Sequence, residues 1–280
     1  MRSKLSIGIL AIGTFVVVYP IMFLIVGSFM SESEIADNLT AIAEPAANGF
    51  ATWSFLPNEP SLHSYVAVMF DTPQFFVCFW NSVKGVCGVI AGQIIFGVPA
   101  AWCFARYNFK YKRVLFFIYV VLMMLPFQVL MLSEYLVVRK LMILDTLWAV
   151  ILPGAFSTFP VFVIYNFFRG IPEEIIDAAR VDGASEFALF RHIGLPLGKS
   201  GIIAAMILQL LEYWNVVEQP MTFLDTKHNW PLTLYLPYID IASAGQAFAA
   251  SVIALIPTLL LFLIFRDDLE KGIVASAVKE

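Results

Sequence analysis

The sequence predicts an all-α, polytopic membrane protein with six transmembrane helices and a cytoplasmic helix-turn-helix loop. Of its 280 residues, 60% are hydrophobic and only 14% are charged, a composition typical of chains that cross a bilayer several times. Six apolar runs approach or exceed the length of about 20 residues that a transmembrane helix needs. One polar stretch, residues 171–200, carries eight charged side chains between two of these runs. We therefore expect a single transmembrane domain over residues 1–280.

The first predicted span follows two basic residues as a signal peptide would, but it is too long for one and lacks a small-residue cleavage site. Prolines occur inside the spans, at positions 20, 99, 126, 160 and 257. They are expected to kink the helices, because proline lacks the amide that bonds the preceding turn. The predicted spans, with approximate bounds, are Leu5–Phe29, Phe75–Phe104, Val114–Val137, Thr146–Phe168, Gly201–Val217 and Phe248–Phe265.

The distribution of basic residues predicts the orientation. Short cytoplasmic loops hold an excess of Lys and Arg, and with the N-terminus inside, thirteen of the 17 basic residues fall on that side. Residues 31–73 contain acidic side chains but no Lys or Arg, so we expect this segment to be extracytoplasmic. Residues 219–246 then form an external loop, whereas residues 171–200, the tail at 266–280 and both termini face the cytoplasm.

The polar stretch is predicted to form two short helices joined by a turn. Pro172 suits the first helical position, where no amide hydrogen bond is lost. Gly183 tolerates the left-handed backbone that ends a helix, and Ser185 can cap a second helix through Phe190. A rigid, exposed pair of helices on a membrane protein suits a partner protein. The alternative is a cytoplasmic amphipathic hairpin with no partner.

The same stretch keeps a long spaced motif, made of Asp177, Ala178, Ala179, Gly183, Ile193, Leu195 and Pro196. This motif resembles the cytoplasmic EAA loop of ABC importer permeases, with aspartate where the family usually has glutamate. In that family the loop docks into a groove of the ATP-binding subunit and transmits its closure to the membrane. The resemblance therefore implies that these seven residues couple the chain to an ATPase.

Further landmarks resemble the carbohydrate-uptake class of these permeases, from about residue 61 to the end of the chain. The tail at 272–279 is similar to the C-terminal tail of the maltose-type subunit, which in that family inserts between the ATPase subunits. The other landmarks are Asn81-Ser82, Ala105-Arg106-Tyr107, Phe109-Lys110, Leu125-Pro126, Asp145-Thr146, Trp214-Asn215 and Pro220.

The resemblance implies a permease subunit of a bacterial inner membrane, moving a sugar or oligosaccharide from an external binding protein to the cytoplasm by alternating access. Its implied partners are a second homologous permease, two ATP-binding cassette subunits and an extracytoplasmic substrate-binding protein, besides the lipid bilayer. ATP and Mg would bind the ATPase subunits, and no cofactor or metal is expected in this chain. The net charge of −4 gives no reason to expect nucleic acid.

No catalytic site is predicted. Gly198-Lys199-Ser200 matches only the end of a phosphate-binding loop, because the earlier glycine that such a loop requires is Ile193. No H-E-x-x-H motif or visible Ser-His-acid triad occurs. The three cysteines form no C-x-x-C pair and are interpreted as small apolar packing residues.

Polar residues within spans are the candidates for the substrate pathway, since burying them in lipid is costly. Glu, Gln, Asn and Tyr together supply the hydrogen bonds and aromatic faces that sugars need, although interhelical hydrogen bonding would explain the same residues. The candidates are Gln128, Glu134, Gln209, Glu212, Tyr213 and Asn215.

Other functions stay open on this evidence. An ion-coupled secondary transporter would need buried acidic ion sites, of which the spans offer few, and would leave the EAA-like loop unexplained. A membrane-embedded enzyme would need a catalytic constellation at the ends of the spans. Within the importer class, glycerol-phosphate or another polar solute is the alternative to a sugar. Only Lys84 is a basic residue within a span, which favours a neutral solute over a phosphate.

Overall fold

The computed structural model of the chain describes residues 2–43, 54, 56–236 and 243–277, with side chains from residue 6 to 39 in the first stretch and up to 266 in the last. These residues form helices and no named strand, and a single isolated bridge pairs Met30 with Pro60. The all-α prediction is thereby confirmed. The α-helices are α1 Arg2–Ser28, α2 Glu32–Ala43, α3 His63–Val66, α4 Pro73–Gly92, α5 Val98–Arg106, α6 Lys112–Met124, α7 Phe127–Lys140, α8 Trp148–Ala155, α9 Thr158–Arg169, α10 Glu173–Val181, α11 Glu186–Leu189, α12 Leu195–Leu197, α13 Lys199–Asn215, α14 Glu218–Phe223, α15 Leu232–Tyr235 and α16 Ala244–Ala277.

Short turns of other helix types join some of these elements. The turns Ala67–Asp71, Gln93–Gly97 and Phe190–Gly194 are π-helical, and Lys227–Asn229 is a 3₁₀ turn. The π turn at Gln93–Gly97 continues α4 into α5, so that one helical rod runs from Pro73 to Arg106. Such turns in the middle of a helix often mark functional positions.

The described helices account for six predicted membrane spans. Four stretches are individually long and apolar enough to cross a bilayer: Ser6–Ser28, Pro73–Arg106, Trp148–Arg169 and Ala244–Arg266. Two bent pairs meet the same test when each is taken together, Lys112–Met124 with Phe127–Lys140 and Glu186–Leu197 with Lys199–Asn215. Counting each pair as one span gives up to six.

The third predicted span is not one kinked helix. Its two halves, α6 and α7, meet at 109°. Leu125 is extended, with φ −78° and ψ 129°, and Pro126 caps α7 instead of lying inside a helix. The physical reason is that the residue before a proline avoids the helical region while the proline itself has no amide to continue the ladder.

The fourth predicted span also differs from a continuous helix. The chain leaves the helical conformation at Ser157, with ψ 139°, between α8 and α9. Pro160 therefore lies in the first turn of α9, where its missing amide is not needed, instead of kinking a helix interior. The fifth span begins two residues earlier than predicted, at Lys199, and ends at Asn215 because Val216 is extended.

The chain divides into two compact units, Met1–Phe79 with Leu234–Pro257 and Trp80–Thr233 with Thr258–Glu280. In the first unit the Glu34 carboxylate accepts hydrogen bonds from the backbone amides of Asn58 and Glu59 and from the Ser54 hydroxyl. The Asn58 amide and its neighbours hold the pKa of Glu34 below its ordinary value. This carboxylate thus ties α2 to the chain that follows residue 53.

The second unit contains the largest described core. Its buried residues come from α5, α9, α13 and the polar stretch 171–200, and they include Trp102, Ile164, Phe168, Ile176 and Leu189. The polar stretch therefore does not hang from the molecule as a free loop. Its inner face belongs to the same core as the membrane helices.

Candidate functional site

The polar hairpin, residues 171–200, folds as the predicted two helices joined by a turn. Pro172 is the N-cap residue of α10, which begins at Glu173, whereas the sequence predicted Pro172 at the first helical position. Gly183 adopts φ +85°, a conformation that favours glycine and ends the first helix. The Ser185 hydroxyl accepts a hydrogen bond from the Ala188 amide at 3.3 Å, which caps α11 as predicted.

The second helix of the polar hairpin does not run unbroken to Phe190. The α-helical part ends at Leu189, and the chain widens into the π turn Phe190–Gly194 before the single turn of α12. Pro196, within α12, has no amide to donate to the preceding turn, which favours the wider turn there.

The seven motif residues divide into an exposed group and an anchoring group. Asp177, Ala178, Gly183 and Pro196 are exposed. In contrast, Ala179, Ile193 and Leu195 are partly buried and pack against the core of the second unit. Only the first group is free to meet another protein, whereas the second holds the hairpin against the membrane helices.

Four exposed apolar side chains lie on the hairpin, and Val181 and Phe187 are the most exposed of them; the other two are Ile175 and Leu197. Val181 is 88% exposed and Phe187 is 68% exposed, although both are large hydrophobic residues. Val181 lies three positions after Ala178 and therefore shares its helix face. Sequence reasoning did not single out either residue. No clear signal for them was present in the sequence, since other apolar residues of the same stretch, such as Ile176 and Leu189, are buried.

Arg106 fastens the start of the polar hairpin to the end of α9. Its Nη2 donates hydrogen bonds to the backbone carbonyls of Phe168 and Ile171. The guanidinium also lies 5.7 Å from the centroid of the Trp102 ring. One charged side chain thus satisfies carbonyls at a helix end that would otherwise lack partners.

Close packing fixes the other end of the hairpin. The Trp102 ring meets Phe168 edge-on at 5.1 Å. A Cβ atom at Gly194 would lie 2.7 Å from that same indole, and one at Gly198 would overlap the Phe168 ring. These glycines let the hairpin backbone approach α5 and α9 more closely than any other residue would allow.

A polar bridge on the surface links the two helices of the hairpin. Arg180 Nε donates to Glu186 at 3.1 Å, and the guanidinium also approaches Asp177 at 3.4 Å. The Tyr107 hydroxyl donates to the other oxygen of Glu186 at 2.9 Å. Because Asp177 is 68% exposed at its side chain, its ion pair contributes little to stability. Its carboxylate remains available at the surface.

A polar cavity of about 410 Å³ lies between α6, α7, α8, α9 and α13. Glu134, Glu212 and Tyr213, three of the predicted pathway residues, line it together with Ser133 and Gln219. Apolar side chains complete the wall. A cavity with a mostly apolar wall and a few convergent polar groups is the usual form of a small-molecule site.

Gln209 does not line this cavity, but it forms a hydrogen bond with Glu212, which does. Its Nε2 donates to Glu212 at 2.7 Å, while its Oε1 accepts from Gln93 Nε2 at 2.8 Å. Gln93 Nε2 also donates to the Gly154 carbonyl at 2.7 Å. Both glutamines are completely buried, so this chain of hydrogen bonds orients Glu212 from within the bundle.

The remaining pathway candidates lie elsewhere. Gln128 donates to Glu218 at the surface, and Asn215 caps its own helix by donating to the Leu211 carbonyl at 2.8 Å. Sequence reasoning missed Gln93 and Gln219. Gln93 had a signal, since a buried glutamine inside a predicted span needs a partner. No cluster of potential metal ligands occurs among the described residues.

The predicted external loop is pinned by Asp145. This residue has φ 54°, and its carboxylate accepts hydrogen bonds from the Asp225 and Thr226 amides at 3.0 and 2.9 Å. The Thr226 hydroxyl donates to the same carboxylate and, with the other donors, holds the pKa of Asp145 below its ordinary value. Asn229 donates to the Asp145 carbonyl.

Two residues of the second predicted span hold the following part of this loop. Asn81 Nδ2 donates to the carbonyls of His228 and Trp230 at 2.7 and 3.2 Å, and the Ser82 hydroxyl accepts from the Leu232 amide at 2.8 Å. Residues 237 and 238, which the sequence also places in the loop, lie outside the described residues, as do the side chains of the predicted tail after Arg266.

A comparison with known protein families shows to which family the chain belongs. Residues 93–275 match the family described as "Binding-protein-dependent transport system inner membrane component". The chain belongs to this family. It is therefore a transport component of the inner membrane, and the multi-pass prediction is confirmed. Because the family serves binding-protein-dependent systems, the ion-coupled alternative is set aside.

The inner-membrane component resembles curated relatives over nearly its full length. It is 30% identical to the arabinooligosaccharides transport system permease protein AraQ of Halalkalibacterium halodurans, covering 98% of this chain and 95% of the relative. It is 28% identical to Protein LplC of Bacillus subtilis, covering 94% and 90%. It is 27% identical to the sn-glycerol-3-phosphate transport system permease protein UgpE of Brucella suis, covering 96% and 94%.

Solved structures confirm the fold. A chain of a bacterial ABC transporter that imports the acidic polysaccharide alginate aligns with a TM-score of 0.80 and 20% identity, over 95% of both chains. A second chain, from an alginate ABC transporter in complex with a periplasmic protein bound to an alginate pentasaccharide, aligns with a TM-score of 0.55 and 17% identity. That alignment covers 73% of this chain and 83% of the other.

Proposed function

We propose that this inner-membrane component is the permease subunit of an ATP-driven importer and moves a sugar or oligosaccharide by alternating access. The proposal rests on the two different faces of the polar hairpin. Its inner face belongs to the core of the membrane helices, while its outer face exposes small and apolar residues to a partner. A partner that covered this face would remove the exposed side chains of Val181 and Phe187 from water.

Closure of an ATPase dimer would push on this outer face. Asp177, Ala178, Gly183 and Pro196 would lie at the contact, with Val181 and Phe187 as its apolar centre. Ile193, Leu195 and Ala179 would transmit the push, because they pack against the membrane helices. The bonds from Arg106 to the carbonyls at the end of α9 make the hairpin and that helix move together.

The substrate would pass the polar cavity. Glu134, Glu212 and Tyr213 offer acceptors and an aromatic face there, as the hydroxyl groups and ring faces of a sugar require. Gln209 would act by orienting Glu212. Gln128 and Asn215, which lie outside the cavity, would contribute to the surface of the pathway. Two relatives carry saccharide or solute names, arabinooligosaccharides for AraQ and sn-glycerol-3-phosphate for UgpE.

The complete transporter would contain a second homologous permease, two ATP-binding cassette subunits and an external substrate-binding protein. ATP and Mg would act on the cassette subunits, so this chain would take no part in catalysis. Both termini and the polar hairpin would face the cytoplasm. That orientation places thirteen of the 17 basic residues on the inner side.

The proposal is tested by isolating the tagged chain from its native membrane in mild detergent and measuring which proteins accompany it. We expect an ATP-hydrolysing subunit to co-purify with the wild type and to be lost with Phe187→Glu, which puts a charge into the apolar centre of the contact. Leu56→Glu is the matched control, because Leu56 is 77% exposed outside the hairpin. If the Phe187→Glu variant retained the ATPase, the polar hairpin would not be the docking site.

Glycerol-phosphate transport is the second candidate, favoured by the relative UgpE. The two substrates are distinguished by stimulation of ATP hydrolysis in the isolated complex with its binding protein. A neutral oligosaccharide is expected to raise the rate. Stimulation by glycerol phosphate alone would favour the second candidate.

A further inference from the structure

The wall of the polar cavity carries two acidic side chains and no basic one. Glu134 and Glu212 are its ionisable acids, and none of its lining residues is Lys, Arg or His. Neither carboxylate forms an ion pair within the described part of the chain. This differs from the polar hairpin, where Glu186 is paired with Arg180.

The two carboxylates are held in different ways. Glu212 lines the cavity and is held by Gln209, whose Nε2 donates a hydrogen bond to its Oε2. Glu134 has a buried Oε2 that lacks a hydrogen-bond partner among the described residues. A buried acceptor without a donor is costly, and this oxygen is shielded from the cavity, so Glu134 would act on a passing solute through its electrostatic field and not through a direct hydrogen bond to Oε2.

Charge in such a cavity acts on solutes at a distance. Two unit charges interact more strongly in a cavity with apolar walls than in bulk water, because the effective dielectric constant is lower. An anionic solute would meet repulsion from both carboxylates and no compensating cation on this wall. A neutral solute rich in hydroxyl groups would meet two acceptors and the Tyr213 ring instead.

We propose that Glu134 and Glu212 make this cavity a charge filter, which admits neutral or cationic saccharides and excludes anionic ones. The inference rests on the proposed function and adds to it the charge class of the substrate. It separates this chain from its structural neighbour, whose transporter imports the acidic polysaccharide alginate, and from the relative named for glycerol phosphate.

The filter is tested without knowing the substrate, by measuring how fast charged thiol reagents reach the cavity. Ser133→Cys places a thiol on the wall, in a background where Cys78, Cys87 and Cys103 are replaced by serine. The full chain is kept in native membrane vesicles with its partners. Cationic, neutral and anionic methanethiosulfonates of similar size are then compared by their modification rates.

We expect the cationic reagent to react at least about tenfold faster than the anionic one, after each rate is divided by that for Leu62→Cys, an exposed position outside the cavity. Glu134→Gln with Glu212→Gln should bring the ratio close to one. Glu218→Gln is the matched control, because Glu218 is a nearby acid that does not line the cavity. It should leave the ratio unchanged.

The proposal is overturned if the ratio for Ser133→Cys is near one, or if the double glutamine variant keeps the ratio of the parent. Leu130→Cys, on the same wall, repeats the measurement should the first cysteine prevent assembly. Failure of the neutral reagent to reach either cysteine would show a cavity closed to solutes and would equally overturn it. Whether the ATPase co-purifies from the same preparations tests the proposed function independently of the charge filter.

Discussion

The first prediction concerns Arg106, whose side chain donates hydrogen bonds both to the end of α9 and to the start of the polar hairpin. Replacement by methionine keeps most of the apolar stem but removes both donors to the Phe168 and Ile171 carbonyls. It also removes the cation that lies 5.7 Å from the centroid of the Trp102 ring. Coupling between the hairpin and the membrane helices should weaken as a result.

The size of the effect follows from these contacts. Each hydrogen bond from a charged donor contributes about 1.5–3 kcal/mol, and the ring contact adds about 0.5–1 kcal/mol. The low ends of these ranges sum to about 3.5 kcal/mol. Since Arg106 is only partly buried, water can replace some of this, and we expect a loss of about 3 kcal/mol in total. At 1.4 kcal/mol per factor of ten, local opening of the hairpin should become roughly 100-fold more frequent.

Hydrogen exchange followed by mass spectrometry measures this opening directly. Peptides that cover residues 165–181 should exchange roughly 100-fold faster in Arg106→Met than in the wild type, while peptides from α1 stay unchanged. Arg106→Lys can reach one carbonyl and should fall in between. Arg139→Met is the control, because it removes an exposed arginine from the end of α7. Exchange within threefold of the wild type in the Arg106 variant would refute the assigned role.

Two other predictions concern packing and pH. Gly201→Ala should lower the thermal midpoint of unfolding by the equivalent of about 1–3 kcal/mol, because its Cβ would overlap the Phe167 ring, whereas Gly85→Ala, with open space around its Cβ, should not. Asp145 contributes stability above its ordinary pKa of 3.8, which is lost as the pH falls through the depressed folded value. The difference in thermal midpoint between wild type and Asp145→Asn should therefore shrink on acidification from pH 6 to about pH 3, and a constant difference would contradict this reading.

Local signals in the sequence were sufficient for the shape of the polar hairpin. Gly183 is needed because the turn requires a positive φ, and Ser185 is needed because the following helix begins with unpaired amides. Both requirements depend on neighbours within a few residues. The apolar runs likewise predict the spans, because a bilayer demands length and hydrophobicity whatever the tertiary packing is.

The roles of Ile193 and Leu195 could not be read in the same way. A motif shows that residues recur at a spacing, not which of them face the protein interior. Their burial depends on the core around Trp102, about 90 residues away along the chain. The 109° turn at Leu125-Pro126 has a related cause. Proline interrupts a helix locally, but the angle at which the next helix leaves is set by what it packs against.

The residues that line the polar cavity could also be predicted only in part from the sequence. Composition within spans identified Glu134, Glu212 and Tyr213, which the fold does bring to one wall. It also selected Gln128 and Asn215, which the fold turns away. Gln93 and Gln209 are 116 residues apart in sequence, and only the packing of α13 beside the π turn at Gln93–Gly97 makes them partners.

Helix α13 gives a physical reason why the hairpin and the cavity can act together. It begins at Lys199, at the end of the polar hairpin, and its last turns carry Gln209, Glu212 and Tyr213. At 1.5 Å per residue, these 17 residues form a rod about 25 Å long. Its first turn follows Gly198, which lies in close contact with Phe168. Because a hydrogen-bonded helix resists bending more than a loop does, a displacement at Lys199 would be passed along α13 to Glu212. The chain bends by 71° between Leu197 and Lys199, so the contact of Gly198 with Phe168 is what would pass a movement of the hairpin to this helix.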